Sequence, residues 1–377
     1  MRILITTGIF EPEVGGPATY APRLATKLTE AGYQVTVLTF SQKSHYDSDK
    51  EYSFRLVRIV RGNRILNRIR FFFAVLSHVH NCDLIYTLDW FAVGLPVALA
   101  AKLLGKPYVV RVGGDYLWEQ RYLESGQRPM PLRDFYHSGI HRRREYRMFY
   151  RLIRRVLSGA RHVIFNSNVQ RELYLDFYGL ALARVSTIFN PVPAMQKPTA
   201  HASNKEFVFW GRFIVMKNLD TLIHAFAKAK LEGYTLLLIG DGPRKEELAE
   251  LVRELHVERR VSILPSMRRD DVLARVSACR AFVLPSWTDI SPNQVVEALA
   301  IGLPALVTKE NYLSFRDQLP ETVDPRSVDD VAEKLTMLAD DTHYREFRKK
   351  FAAISYVHTW DAALREHVAL FERIVRV

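Results

Sequence analysis

Cysteine is scarce in this chain: Cys82 and Cys279 are the only two in 377 residues, far apart, with no second Cys or patterned His beside either. That scarcity argues against a disulfide scaffold and a cysteine-based zinc site, and it fits a reducing compartment. Long apolar runs are missing as well. The longest uncharged stretch, Trp90 to Ala101, contains Gly94 and Pro96 and stops at Lys102. It falls short of the roughly 20 residues that span a bilayer. The opening Ile3-Leu4-Ile5-Thr6-Thr7 run reads as a strand ending at Gly8 rather than as a secretory signal. No G-x-G-x-x-G fingerprint, Walker-type phosphate loop or G-x-S-x-G elbow is present. His137 and His141 have i, i+4 spacing but no acidic partner to complete a metal set.

Apolar residues make up 48% of the chain and charged ones 25%, the balance of a globular protein rather than a disordered one. Lys and Arg number 53 against 41 Asp and Glu, so the net charge is +12 and an anionic partner is implied. The length suggests two domains, each with its own core. Short β-branched runs alternate with amphipathic stretches almost throughout. Seven strand candidates lie between Arg2 and Phe189, and five more between Glu206 and Thr308. Near-continuous apolar strands alternating with helices predict two doubly wound parallel sheets, an α/β architecture. The Pro- and Ala-containing stretch Asn190–Ser203 reads as the linker. The expected domains are therefore 1–192 and 193–356, with 357–377 as a C-terminal helix able to cross back to the first. In open α/β sheets ligands bind outside the carboxyl ends of the strands, which puts the expected site in a cleft where the two halves face each other.

Three segments carry groups suited to chemistry at such strand ends. Gly15-Gly16 precede a helix near Thr19, where small residues let a ligand approach free backbone N–H groups. Gly211-Arg212 end a strand and Lys217 opens the next helix. A guanidinium fork and a compact ammonium a few residues apart can clamp a diphosphate. The most informative segment runs from Phe282 to Pro304. Its strand ends at Pro285-Ser286, its loop carries Asp289, and a helix is predicted with Ser291 as N-cap, Pro292 at the first position and Asn293 following. Glu297, inside that helix, offers two acceptor oxygens suited to neighbouring hydroxyls such as those of a ribose.

Together, Gly15-Gly16, Gly211-Arg212…Lys217, Gly240-Asp241-Gly242-Pro243 and Asp289-x7-Glu297-Ala298…Gly302-Leu303-Pro304 resemble the family 4 (group 1) retaining nucleotide-sugar glycosyltransferases of GT-B fold. The resemblance runs through essentially the whole chain and is strongest from Glu206 to Thr308. It implies that Arg212 and Lys217 bind the donor diphosphate, that Glu297 bonds the ribose, and that Asp289 touches the donor sugar. At that last position the family normally has Glu, one methylene longer. Family members often carry a His after the strand that here is Pro107–Val112; this chain has Arg111-Val112-Gly113-Gly114-Asp115-Tyr116 instead. Asp115 is then the candidate polar group near the reacting centre.

The resulting expectation is a hexosyltransferase-type enzyme that is metal-independent, has no cofactor and takes a nucleotide-diphosphate sugar as donor. The acceptor would be a saccharide or lipid-linked saccharide in surface polysaccharide or glycolipid assembly. Alternatives are a nucleotide-sugar-binding protein without transfer, or a phosphorylase or epimerase of the same fold. Either Arg212 or Lys217 should be removable with the fold intact. Asp47-Ser48-Asp49 has a D-x-D form but reads as a solvated turn. The dense run Arg142–Arg155 places Arg143, Arg147, Arg151 and Arg154 on one helical side and Tyr146, Phe149/Tyr150, Ile153 and Leu157 on another. Such a helix either lies on an anionic membrane surface or packs its apolar side on its own domain. No nucleic-acid motif accompanies it. The expected location is cytoplasmic, with peripheral attachment at the inner face of the membrane.

Overall fold

The computed structural model describes residues 1–13, 15–191 and 204–376; from residue 192 to 203 the expected linker lies outside the described residues. The first half runs β1 (Arg2–Thr7), α1 (Gly16–Glu30), β2 (Gln34–Ser41), β3 (Arg55–Val60), α2 (Arg64–Val79), β4 (Leu84–Thr87), α3 (Gly94–Leu104), β5 (Tyr108–Val112), α4 (Leu132–His137), α5 (Arg144–Gly159), β6 (His162–Phe165), α6 (Asn168–Tyr178) and β7 (Val185–Thr187). The second runs β8 (Glu206–Arg212), α7 (Leu219–Ala229), β9 (Thr235–Asp241), α8 (Lys245–Glu254), β10 (Val261–Leu264), α9 (Arg269–Val276), β11 (Ala281–Leu284), α10 (Asn293–Ala300), β12 (Ala305–Thr308), β13 (Thr322–Val323), α11 (Val328–Ala339), α12 (Asp341–Ala352) and α13 (Trp360–Val375).

Two compact units result. One comprises Met1–Leu117, Ser138–Asn190 and Trp360–Val377, the other Trp118–His137 and Pro191–Thr359. Residues 118–137 thus cluster with the second unit although they lie inside the range 1–192. The main-chain N–H of Leu132 donates to Thr288 Oγ1 in that unit at 2.9 Å, and Arg326 pairs with Asp134.

The first unit is built on a seven-stranded parallel sheet in the order β3-β2-β1-β4-β5-β6-β7. Its strands are apolar on both faces because helices cover both. Alternate residues Ile3, Ile5, Leu84, Tyr86 and Val109 join one core with Leu24 of α1 and Phe371 of α13. There the His367 ring meets the hydroxyls of Tyr86 and Tyr20 at 3.0 and 3.4 Å, and Lys27 pairs with Asp361 at 2.7 Å. On the other face α3 packs against both α2 and α5. The second unit has a six-stranded parallel sheet, β10-β9-β8-β11-β12-β13. Its short edge strand β13 went unpredicted, since two residues carry no periodicity.

In each sheet the strand order reverses once, between β1 and β4 in the first unit and between β8 and β11 in the second. The crossovers leave on opposite faces at those points and open a crevice at the carboxyl ends of the strands.

For two other segments the structure corrects one expectation and meets one of two alternatives, the packing of α5's apolar side on its own domain. Asp49 is not a solvated turn residue: it is largely buried and paired with Arg58 at 2.7 Å, whose guanidinium also covers the Phe10 and Tyr46 rings. Burial pushes the Asp49 carboxyl up, but the hydrogen bonds from Arg58 and the Tyr46 backbone outweigh it and hold it below the usual range. In α5 the apolar side, Tyr146, Ile153, Val156 and Leu157, is buried in its own unit, leaving an outer face of arginines.

His162, on β6, bonds Ser186 on β7 at 2.9 Å. Burial, with Arg373 nearby, pushes its pKa down to about 4. As pH falls below its ordinary value near 6.5, the unfolded chain takes up a proton that the fold refuses. Stability should therefore decline between pH 6.5 and about 4 and then level. Urea unfolding midpoints at pH 7 and pH 4.5 check this: His162→Gln should show a smaller decline than the parent protein, and an equal decline would place the acid sensitivity elsewhere.

Candidate functional site

At the β8–β11 crevice the structure brings together four of the sequence candidates in the second unit. Strand β8 delivers Gly211 and Arg212, the latter exposed. A short turn then buries Lys217, and Asn218 takes a left-handed conformation (φ 55°) that starts α7. Asn218 is fixed by its own amide, which donates to the carbonyls of Pro285 and Pro325 at 3.0 and 2.8 Å. The anchoring aims the preceding lysine. Lys217 Nζ donates to Asp289 Oδ2 at 2.7 Å, and Ser286 Oγ donates to the same oxygen at 2.8 Å. Both charged side chains are only 7% exposed.

Asp289 is held from its backbone too. Its N–H donates to the Glu310 carbonyl at 3.1 Å and its carbonyl accepts from Tyr312 N–H at 2.8 Å, an isolated parallel bridge centred on Asn311. These bonds fix the loop where the Asp289 carboxylate reaches Lys217.

Helix α10 starts one residue later than expected: Pro292 is the N-cap and Asn293 the first helical residue, and no side chain caps the end. Ser291 therefore lies outside the helix. Proline has no N–H, so the donors this helix end presents are backbone N–H groups of the residues that follow it. Glu297 follows on α10, mostly buried. Arg269 Nε donates to its Oε1 at 2.6 Å and the Trp210 indole to its Oε2 at 3.2 Å. Neither partner was anticipated. Arg269 did leave a trace, because a cation at the first position of α9 opposes the helix dipole and needs a carboxylate elsewhere.

The Gly240-Asp241-Gly242 motif acts through packing. A Cβ on Gly240 (φ 159°) would land on the Gly211 carbonyl oxygen, and one on Gly242 (φ 155°) on the carbonyl oxygen of Phe213. These two residues let the end of β9 press against the Gly211-Arg212-Phe213 turn and so set the height of Arg212.

In the first unit the crevice between β1 and β4 lies beside Gly8, where a Cβ would stand 2.5 Å from the Asp89 carboxylate. Asp89 is buried, which pushes its carboxyl above the usual range despite two backbone N–H bonds at 2.8 Å from Phe91 and Ala92. Gly15 precedes α1 and Gly16 begins it; nothing lies within 4 Å of the space a Gly16 side chain would fill. Asp115 is fully buried, and Tyr174 Oη donates to its Oδ2 at 2.8 Å. The neighbouring Gln170 amide donates to the Gly114 carbonyl at 3.1 Å.

Two doubly wound parallel-sheet units, the second with basic side chains and a helix start at its switch point, define the GT-B architecture. Comparison with known proteins specifies the family. Residues 193–356 match the model of glycosyl transferases group 1, and residues 14–195 that of Glycosyltransferase Family 4. The chain belongs to this family of glycosyltransferases. It is 24% identical over 375 residues to a GDP-mannose-dependent alpha-(1-6)-phosphatidylinositol monomannoside mannosyltransferase of Mycobacterium tuberculosis, covering 90% of this chain and 89% of that one. It is 30% identical over 207 residues to an exopolysaccharide phosphotransferase of Streptomyces coelicolor, a match that spans 51% of this chain but only 22% of that protein. Among solved structures, HepE of Anabaena in complex with UDP and glucose shares the fold, with a TM-score of 0.76 at 18% identity over 99% of this chain and all of that one.

The buried pair revises the expectation that Lys217 can be removed with the fold intact. Losing one partner of a buried ion pair leaves an uncompensated charge and costs about 3–5 kcal/mol. Lys217→Ala should lose about that much in denaturant titrations, while Lys217→Met/Asp289→Leu should recover most of it. Equal losses in both variants would mean that the charge pairing is not what the fold depends on. Gly240→Ala should cost about 1–3 kcal/mol in backbone strain alone, read by the same titration.

Proposed function

We propose that this protein transfers a sugar from a nucleotide-diphosphate sugar to an acceptor hydroxyl, with retention of configuration and without a metal, in the assembly of a surface polysaccharide or glycolipid. One observation carries the reading: at the switch point of the second unit, Arg212, the buried Lys217–Asp289 pair, the α10 start and Glu297 sit together.

Breaking the bond between sugar and diphosphate develops negative charge on the leaving phosphate and oxocarbenium character on the sugar. Lys217 spends one of its three N–H donors on Asp289, leaving two for phosphate oxygens. Arg212 adds an exposed guanidinium fork, and α10 adds backbone N–H groups at a positive helix end. Because Asp289, Ser286 and Asn218 already hold these groups, little reorganisation accompanies the charge as it grows, which is how preorganised donors lower a barrier.

Asp289 Oδ2 is occupied by Lys217 and Ser286, so its Oδ1 is the oxygen available to a sugar hydroxyl. Glu297 accepts one bond at each oxygen, from Arg269 and Trp210, and a carboxylate has about four acceptor sites. Two remain for a ribose diol. Asp115, locked to Tyr174, would shape the acceptor loop after β5. Relatives named for a phosphatidylinositol mannoside acceptor favour a lipid-linked saccharide here.

A thermal-shift panel of uridine and guanosine nucleotide sugars, run in EDTA, tests this. A ligand at about 100 Kd stabilises the native state by roughly 2.7 kcal/mol. One donor should raise the melting temperature in EDTA, and Arg212→Ala, changed at an exposed site, should weaken that shift while keeping its unliganded melting temperature. Absence of a shift with every donor would favour a different role for the site, and a shift abolished by EDTA would overturn metal independence.

A further inference from the structure

Helix α2 turns Phe71, Val75 and Val79 inward, yet its outer face is also apolar. Ile65, Ile69 and Phe73 repeat at i+4 and so form one line along the helix. They are 73%, 48% and 61% exposed in the whole chain. Leu66 lies beside them, and on the adjoining α3 the pair Leu99 and Leu103 is exposed as well. Exposed apolar residues scattered singly need no explanation, but a line of them continued onto a neighbouring helix marks a binding surface.

The charges around this line identify the partner. Helix α2 carries three arginines, α3 one lysine and α5 five arginines, against a single carboxylate, Glu145. Arg144, Arg147, Arg151 and Arg155 are exposed and in no ion pair among the described residues. The helices meet at the carboxyl edge of the sheet: the Arg68 guanidinium lies 4.8 Å over the Phe91 ring, which is 5.8 Å from Phe149 of α5. A second copy of the chain would oppose one basic face to another, and a nucleic acid would leave the apolar line unused. A bilayer with anionic headgroups satisfies both components.

We propose that the α2–α3–α5 face of the first unit docks on an anionic lipid bilayer, with Ile65, Ile69 and Phe73 entering the boundary between headgroups and acyl chains and the α5 arginines lying over lipid phosphates. This deepens the functional reading by giving a lipid-linked acceptor its location, and rests on that reading only for its purpose.

The test is sedimentation of the full chain with vesicles of phosphatidylcholine alone or mixed with phosphatidylglycerol, across a salt series, with no donor or acceptor present. The protein should bind the mixed vesicles, more weakly as salt rises. Ile65→Ser/Ile69→Ser/Phe73→Ser should bind about tenfold more weakly or worse at every salt concentration. Arg147→Glu/Arg151→Glu should lose a similar factor at low salt and show a flatter salt dependence. All these positions are exposed, so melting temperatures and donor-induced shifts should match the parent. Failure of the parent to bind mixed vesicles, or undiminished binding by the triple-serine variant, would overturn the proposal. A parent dimer that the triple-serine variant converts to monomer would do the same and assign the face to self-association. Vesicle binding without any donor shift would refute the transferase reading and leave the docking surface standing.

Discussion

The Lys217–Asp289 pair is the interaction from which the second unit's site is organised. Two opposite charges, both nearly removed from water, are tolerated because each is answered at close range and Ser286 gives the carboxylate a second donor. Such a pair is weak evidence of stability, since apolar residues of similar volume would serve the core as well. What it supplies is position. An ammonium held by a fixed carboxylate, beside an asparagine bonded to two carbonyls, stands at a defined point above the β8–β11 crevice before any ligand arrives. The bridge to Asn311 fixes the backbone from which the Asp289 carboxylate reaches Lys217.

Glu297 follows the same logic with a different balance. Its carboxylate is bonded by a partly exposed arginine and an indole rather than by a buried lysine. It therefore keeps open acceptor sites that a fully encased ion pair would not. The two carboxylates on one strand–loop–helix segment are thus set apart by their surroundings: one fixes a cation, the other stays available to hydroxyls.

Much of the fold was legible because buried parallel strands leave a strong mark. Runs such as Phe282-Val283-Leu284 have no polar alternation and need helices on both faces, and all twelve predicted strands correspond to observed ones. The missed strand, β13, is two residues long and depends on the register of β12. At the site, the types and spacing of Arg212, Lys217, Asp289 and Glu297 could be read, but their partners could not. Arg269 and Trp210 reach Glu297 from 28 and 87 residues away. The start of α10 was misplaced by one residue because a serine before Pro-Asn satisfies the capping preference in sequence, while the observed backbone makes Pro292 the cap.

The excess positive charge also changes meaning once its distribution is seen. Many basic side chains elsewhere are answered locally: Arg58 by Asp49, Arg61 by Glu13, Arg275 by Glu206 and Arg280 by Asp341. A net charge of +12 therefore describes a local imbalance more than a uniform one. It gathers on α5, which buries Tyr146, Ile153, Val156 and Leu157 in its own core and turns its arginines outward. Read alone, α5 has little to insert into a membrane, Met148 being its one large apolar side chain among the described residues that is mostly exposed. The apolar component comes from α2, a helix whose sequence shows hydrophobic residues on every side and gives no warning which of them the sheet will cover. Charge and apolar surface for one partner thus reside on different helices, and only the packing of α3 between them joins the two.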